Sequence, residues 1–410
     1  MLNIRTYNPQ KDRQAVHRIW QEIQWIKGED EEKMMDAFLS EGRTLIAELN
    51  GEPECLAASV PGTFRYLEED LKLSAVAAVT TSRIARKQGL AKQLTVKLVA
   101  ADVLDGAQVS ALGMFEQGFY DQLGFGSGGY EHWISFNPAY LNIKQKPRVP
   151  RRLTKDDWKI VHKSLLNRHR GHGACNLLPA SIIQAEMGWT KNGFGLGYWD
   201  ESQGELTHFF WGSAEDESGP YSIKAMAYQN GQQFLELMAL IKTLNDQVLL
   251  VSMREPAGIQ LQDLLNLPLK QRQATNKSKF ENQSKASAYW QVRICDLEGC
   301  LSRTHLHRET VRFNLELYDP IELSLEQGEP WRGITGSYIV TFGHNSKAER
   351  GTEPNLPTLK STVGAFTRLW LGVRPATGLS VTDNLIGPDS LLRALDDTLC
   401  LPDAKPDWDF

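Results

Sequence analysis

Val79-Thr80-Thr81 closes a strand-like run that begins near Leu73, Arg86-Lys87-Gln88-Gly89-Leu90-Ala91 opens the helix that follows, and Phe119-Tyr120-Asp121-Gln122-Leu123-Gly124-Phe125 comes about thirty residues later. The helix is expected from about Gly89 to Leu104, with Leu90, Leu94, Leu98 and Ala101 on one buried face. At its first turn the unpaired amides and the helix dipole favour an anion. Gly89 and the small Ala91 let the backbone approach that anion, and Arg86 and Lys87 add cationic donors. Alone, Arg-x-x-Gly-x-Ala describes many surface turns. Placed between a strand and a helix and followed by a tyrosine segment, it reads as an acyl-CoA pyrophosphate site. Val79, Thr81, Arg86, Lys87, Gln88, Gly89, Leu90 and Ala91 are the candidate cofactor-binding residues, and Tyr120 is the candidate proton donor.

Working outward, Asn8-Pro9 starts a helix in which Val16, Ile19, Trp20 and Ile23 recur at helical spacing. Thr44 to Leu49, the Asn50-Gly51 turn and Cys55 to Val60 form a hairpin, because Asn-Gly accepts the positive φ values of a tight turn. Val109 to Met114 is the next strand. This order predicts a mixed α/β unit over residues 1–150. Asp156-Asp157-Trp158-Lys159-Ile160-Val161-His162 echoes Asp12-Arg13-Gln14-Ala15-Val16-His17 and starts a second unit of the same kind. That unit has a helix near Gln232 to Leu244 and a strand near Val248 to Met253, but Tyr228-Gln229-Asn230-Gly231-Gln232-Gln233 lacks the phosphate signature. The second copy, residues 151–287, is therefore expected to be catalytically empty. A polar stretch, Asn276 to Lys285, is read as an exposed loop late in this unit. A third domain, 288–410, begins near Ala288, with a strand at Val311 to Leu317 and helices near Leu359 to Gly372 and Ser390 to Leu399. The fold class is α+β, two tandem mixed α/β units followed by a third α+β domain.

A net charge of −5 and a pI near 6.0 argue against sequence-independent nucleic-acid binding and weakly favour a cationic substrate. The acidic run Glu29-Asp30-Glu31-Glu32 is a solvated face or an attractor for such a substrate. Five scattered cysteines without CxxC spacing suggest neither a disulfide framework nor a zinc cluster, and fit a reducing cytosol. No export signal and no long apolar run is visible, so a cytoplasmic protein with no membrane partner is expected. His169-Arg170-Gly171-His172-Gly173-Ala174-Cys175 places three metal-ligating residue types at regular spacing, yet offers no fourth ligand and reads as a polar connection. No metal is expected. Gly193-Phe194-Gly195-Leu196-Gly197 has the wrong spacing for a dinucleotide loop and reads as a bend or strand.

Taken together, the chain resembles the enhanced intracellular survival family within the GNAT superfamily of N-acetyltransferases. The resemblance is carried by Gly118-Phe119-Tyr120-Asp121-Gln122-Leu123-Gly124-Phe125-Gly126, by Leu369-Trp370-Leu371-Gly372 with Ala376-Thr377-Gly378-Leu379, and by Leu391-Leu392-Arg393-Ala394-Leu395-Asp396 before the terminus Trp408-Asp409-Phe410. It spans essentially the whole chain. It implies two GNAT-type domains, a third domain similar to sterol carrier proteins, acetyl-CoA as co-substrate, an amine as acceptor, and a homo-oligomer, commonly a hexamer. It also matches Tyr120 to the family's general acid, the α-carboxylate of Phe410 to its catalytic base, and Glu116 and Asp409 to acidic positions lining the site. One departure is Ser82-Arg83-Ile84-Ala85 before the phosphate turn, where the family usually has a proline.

The chemistry stands without the family. An alkyl amine titrating near ~10.4 must lose a proton before it attacks a thioester, and a nearby carboxylate can accept it. The departing thiolate needs a proton, which a phenol with a reference pKa of about 10 still holds at neutral pH. The competing reading is a non-enzymatic lipid or acyl-ligand carrier acting through the third domain, which would leave Tyr120 and the phosphate turn unexplained. The identity of the amine, a small molecule or a peptide, is not written in the sequence.

Overall fold

The computed structural model describes residues 3–200 and 204–408, apart from the side chains of residues 269 and 271. The first unit runs β1 (Asn3–Thr6), α1 (Pro9–Glu22), α2 (Glu29–Leu39), β2 (Arg43–Leu49), β3 (Glu52–Tyr66), β4 (Glu69–Thr81), α3 (Leu90–Leu104), β5 (Val109–Gly113) and β6 (Gly126–Ser127). Asn8 starts α1 as expected: its side chain accepts from the Gln10 and Lys11 amides, and Pro9 occupies the first turn, where no N–H is needed. Asn50 and Gly51 both have positive φ, joining β2 to β3.

The second unit comprises β7 (Glu131–Phe136), β8 (Arg151–Leu153), α4 (Trp158–Leu166), β9 (Cys175–Leu177), α5 (Ala180–Trp189), β10 (Gly193–Asp200), β11 (Glu205–Ala214), β12 (Tyr221–Ala227), α6 (Gly231–Lys242), β13 (Val251–Arg254), α7 (Pro268–Thr275) and β14 (Gln283–Ser287). The third comprises β15 (Trp290–Ile294), α8 (Leu297–Ser302), β16 (Val311–Tyr318), β17 (Gly336–Phe342), β18 (Lys347–Arg350), β19 (Thr358–Thr362), α9 (Val363–Trp370), α10 (Ala376–Thr382), β20 (Leu385–Ile386) and α11 (Asp389–Thr398). Three sheets result, each with helices against it, which is the mixed α+β architecture expected.

The sheets trade strands across the expected boundaries. β15 lies between β5 and β6 in the first sheet, although it belongs by sequence to the 288–410 span. β5 would otherwise present an open edge, and a fully buried strand, Trp290 to Ile294, satisfies it. Conversely β7, within the 1–150 span, pairs with β13 and β14 in the second sheet. Residues 358–362, expected as the start of a helix from Leu359, form β19 instead, paired in parallel with β16. The Thr362 hydroxyl then caps α9 by accepting from the Ala365 amide. Part of the polar stretch expected as a loop forms β14, and Gly193 to Gly197 lies in β10.

The units also share a core. Phe64, Tyr66 and Leu73 of the first unit pack in one cluster with Trp370, Leu369 and Phe366 of the third. Tyr66 stacks on Trp370 with ring centroids 4.3 Å apart and donates its hydroxyl to the Trp370 carbonyl.

Candidate active site

β4 and β5 pair in parallel only from Leu73–Val76 against Val109–Leu112, while β4 continues to Thr81. The two strands fork, and beyond Val76 the β5-facing edge of β4 has no strand partner among the described residues. At the fork the β3–β4 register shifts between Leu56 and Ala58, and Ala78 has a φ of 54°. This bulge bends β4 away from its neighbour.

After β4, a single 3₁₀ turn (Arg83–Ala85) leads into Arg86, Lys87 and Gln88, all exposed. Glu22 anchors the turn by accepting from the Arg83 amide at 2.8 Å, while the Arg83 guanidinium donates to the Glu22 carbonyl. Lys87 (φ 61°) and Gly89 (φ 78°) are both left-handed, and no side chain caps α3. Leu90, buried in the core, seats the helix, and the first amides of α3 are left for an outside acceptor. A Cβ built at Gly89 would approach only the Gln93 side chain, at 3.9 Å, so the space above the turn is open to a ligand. These residues fit a pyrophosphate: an uncapped helix start, a turn of alternating handedness and two cationic side chains beside it.

The equivalent helix of the second unit is built otherwise. Asn230, extended at φ −154°, caps α6 by accepting from the Gln233 amide at 3.0 Å. A side-chain oxygen occupies the position a phosphate would take.

Tyr120 immediately precedes the short 3₁₀ turn Asp121–Leu123, and its carbonyl accepts from the Leu123 amide. The ring is 2 % exposed and packs edge-on against Phe119, with centroids 4.8 Å apart. It shares one cluster with Leu90, Val79, Ala91 and Met114, so the fold brings the candidate tyrosine to the fork and the helix start. Burial pushes the phenol well above its ordinary value of 10, with Cys55 a second cause. Thr81 has its hydroxyl 3.1 Å from the Cys55 thiol. Glu116 is exposed on the loop between β5 and Tyr120. Asp409 and Phe410 lie outside the described residues.

Two features were not visible in the sequence. Arg293 on β15 is fully buried; one guanidinium nitrogen donates to the Leu123 carbonyl and another to Asp319 at 2.6 Å. Asp319, also fully buried, accepts from the Ile334 amide at 3.0 Å. Gln291 of the same strand donates to Asp121 at 2.6 Å. The strand lent by the third unit thus braces the turn that carries Tyr120. An arginine inside the apolar run Trp290 to Ile294 was the available signal for a buried ion pair.

The second feature explains residues 169–175. They form a cradle for the C-terminal tail: Lys405 donates its amide to the His172 carbonyl, and Cys175 donates to the Pro406 carbonyl, both at backbone distance. Gly173, at φ 86°, has no room for a Cβ, which would lie 2.7 Å from the Lys405 nitrogen. Arg168, nearly buried, donates to the Asp407 carboxylate at 2.7 Å and to the Cys175 carbonyl at 2.8 Å. His172 accepts from the Leu67 amide at Nδ1 and donates from Nε2 to the Leu371 carbonyl. Burial pushes it down to about 4, so it stays neutral. No group of three His, Cys, Asp or Glu side chains among the described residues could hold a metal ion. In the acidic run, Glu31 accepts from the Lys27 amide and Glu32 from Gln21, while Asp30 stays solvated.

Residues 3–128 match the model of the acetyltransferase (GNAT) domain. No curated protein sequence matches the chain. Among solved structures, the chain is similar to a protein from Enterococcus faecalis V583 described as a probable N-acyltransferase, with a TM-score of 0.78 and 16% identity over 98% of each chain. A GCN5-related N-acetyltransferase from Kribbella flavida gives 0.76 and 15% identity, over 100% of this chain and 98% of that one. Eis1 from Mycobacterium abscessus gives 0.77 and 14% identity over 100% of both chains. Such identities show a shared fold along the whole length. With the forked strands, the uncapped helix start and the domain match coinciding, residues 3–128 are an acetyltransferase (GNAT) domain, and the chain that carries it is an acetyltransferase enzyme.

Proposed function

We propose that the chain transfers the acetyl group of acetyl-CoA to a primary amine of a cationic small molecule or peptide, with Tyr120 as general acid and the Phe410 carboxylate as general base. The observation that carries this reading is the uncapped, left-handed entry to α3 at the end of forked β4, in the same cluster as the buried Tyr120. Arg86, Lys87 and the first amides of α3 would hold the pyrophosphate, and the free edge of β4 from Ala77 to Thr81 would offer its backbone groups to the pantetheine. The carboxylate takes a proton from the ammonium, the free amine attacks the thioester carbon, and the intermediate collapses with loss of the thiolate. Tyr120 protonates that sulfur, and the proton shed by the new amide nitrogen restores the phenol through solvent. The tail cradle holds the last described residues at Arg168 of the second unit, and the role of the chain end as base rests on the resemblance. Glu116 and Asp409 are proposed to attract the cationic acceptor.

We further propose that the third domain is sterol-carrier-like in architecture and serves to brace Tyr120 and deliver the tail, that the three units are residues 1–150, 151–287 and 288–410 with β7 and β15 lent to neighbouring sheets, and that the chain is a cytoplasmic homo-oligomer, the hexamer its resemblance implies. Among the described residues no helix is long and apolar enough to cross a membrane. Light scattering on the purified chain reads the oligomeric state.

Tyr120→Phe keeps the ring packing and deletes the hydroxyl. Turnover is expected to fall about 10²-fold with acetyl-CoA affinity unchanged, as when an interaction is made mainly in the transition state. Because burial raises the phenol, it stays protonated through the neutral range, so the wild-type rate should rise with pH as amine and base deprotonate and show no fall from Tyr120 below about pH 10. Steady-state kinetics with an amine acceptor checks both points, and unchanged turnover in the variant would remove Tyr120 from the mechanism.

A further inference from the structure

The second unit repeats the fork of the first. β12 pairs in parallel with β13 only over Tyr221–Ile223, and at that point the β11–β12 register shifts between Trp211 and Gly212, leaving Lys224 as the extra residue of a bulge. In the first unit the bulge in β4 likewise falls where its pairing with β5 ends. The second fork opens into a cavity of about 460 Å³, within the range of roughly 300–1,000 Å³ typical of small-molecule sites. Its body is aromatic and thioether-rich, with Trp211, Met187, Met226 and Met253 in the wall, a lining that adapts to flat or irregular apolar ligands.

Charge narrows the ligand. Four cationic side chains and two carboxylates line the cavity. One carboxylate, Asp407, is held by Arg168. Lys224, on the bulge at the rim, is exposed and makes no ion pair among the described residues. The pyrophosphate position is closed, because Asn230 caps α6. We infer that the second unit is a binding site for a small apolar or aromatic molecule bearing a single anionic group, with its body in the fork and its anion at Lys224. The ligand is not a coenzyme A thioester, which would need an uncapped start at α6, the helix that follows this fork, where Asn230 stands instead. Asp407 and Trp408 form part of the wall, so an occupant touches the tail directly.

The test uses the full chain with saturating acetyl-CoA and the probe 8-anilinonaphthalene-1-sulfonate, read by its fluorescence. One probe per chain is expected to bind and not be displaced by acetyl-CoA. Ala225→Trp, which fills the fork, is expected to weaken the probe at least tenfold. Lys224→Glu, at an exposed position where folding is not at risk, is expected to weaken it several-fold while leaving the uncharged analogue N-phenyl-1-naphthylamine unaffected. Displacement by acetyl-CoA would overturn the inference by placing the probe in the first unit. A folded Ala225→Trp chain with wild-type affinity would overturn it as well, as would a Lys224→Glu chain that binds the charged probe as tightly as wild type. Acetyl transfer, measured in parallel, is governed by the first unit, so failure here leaves that reading standing.

Discussion

A chain extended by a few residues beyond Phe410 is expected to lose acetyl transfer by about 10²-fold or more, whereas the same extension ahead of Met1 is expected to be tolerated. Extension converts the terminal carboxylate into an amide, which is neutral and accepts no proton at pH 7. The tail that carries it is held at defined points: the Lys405 and Pro406 backbone in the His172–Cys175 cradle, and Asp407 on Arg168. Ala404, Lys405 and Pro406 are buried, so the extension begins only after a docked segment and should leave the fold intact. Undocking Trp408, which packs against both the shared core and the second unit, would remove burial worth roughly 1.5–3 kcal/mol, and a thermal melt of the extended chain detects that separately. An extended chain that folds, binds acetyl-CoA and turns over at the wild-type rate would place the base elsewhere, with Glu116 the next candidate.

Arg293→Met is expected to be the most destabilising single change, by about 3–5 kcal/mol, because it leaves the Asp319 carboxylate fully buried without its cation. The Ile334 amide still donates to that carboxylate but cannot replace a charge. The substitution also frees the Leu123 carbonyl, so turnover should fall beyond what the lost stability explains. Replacing both partners, Arg293→Met with Asp319→Leu, should recover most of the stability, since no charge is then stranded. Urea midpoints of the single and double variants read this directly. A single variant as stable as wild type would show that the pair does not hold the third unit to the Tyr120 turn.

What was legible in the sequence was local. The Asn8-Pro9 start, the Asn50-Gly51 turn and the extent of α3 are written in adjacent residues, although α3 buries Thr95, Val96, Val99 and Ala100 beside the expected Leu90, Leu94 and Leu98, while Ala101 is only half-buried. Strand ownership was not legible, because period-two alternation shows that a strand has a buried face and not which sheet receives it. Trp290 to Ile294 therefore counted with the third domain, although its edges pair with β5 and β6. The Arg293–Asp319 pair and the Arg168–Asp407 pair join residues 26 and 239 positions apart, and neither spacing leaves a local pattern. Residues 169–175 stand out in the sequence for their metal-ligating types, whereas their backbone, and the missing Cβ of Gly173, is what the tail uses. The strand at 358–362 is hidden in the sequence by the helix after it, since Leu359 continues the apolar spacing of α9.

The most direct test of acetyl-CoA binding at α3 is calorimetric titration of acetyl-CoA into the full chain and into Gly89→Glu and Gly89→Asn. Asparagine tolerates the left-handed conformation at φ 78°, whereas glutamate adds both strain there and a like charge beside the pyrophosphate. One site per chain is expected, weakened by about tenfold or more in Gly89→Glu and much less in Gly89→Asn, in line with a like charge held near the anion. Two sites per chain, or wild-type affinity in Gly89→Glu, would contradict binding at the α3 entry.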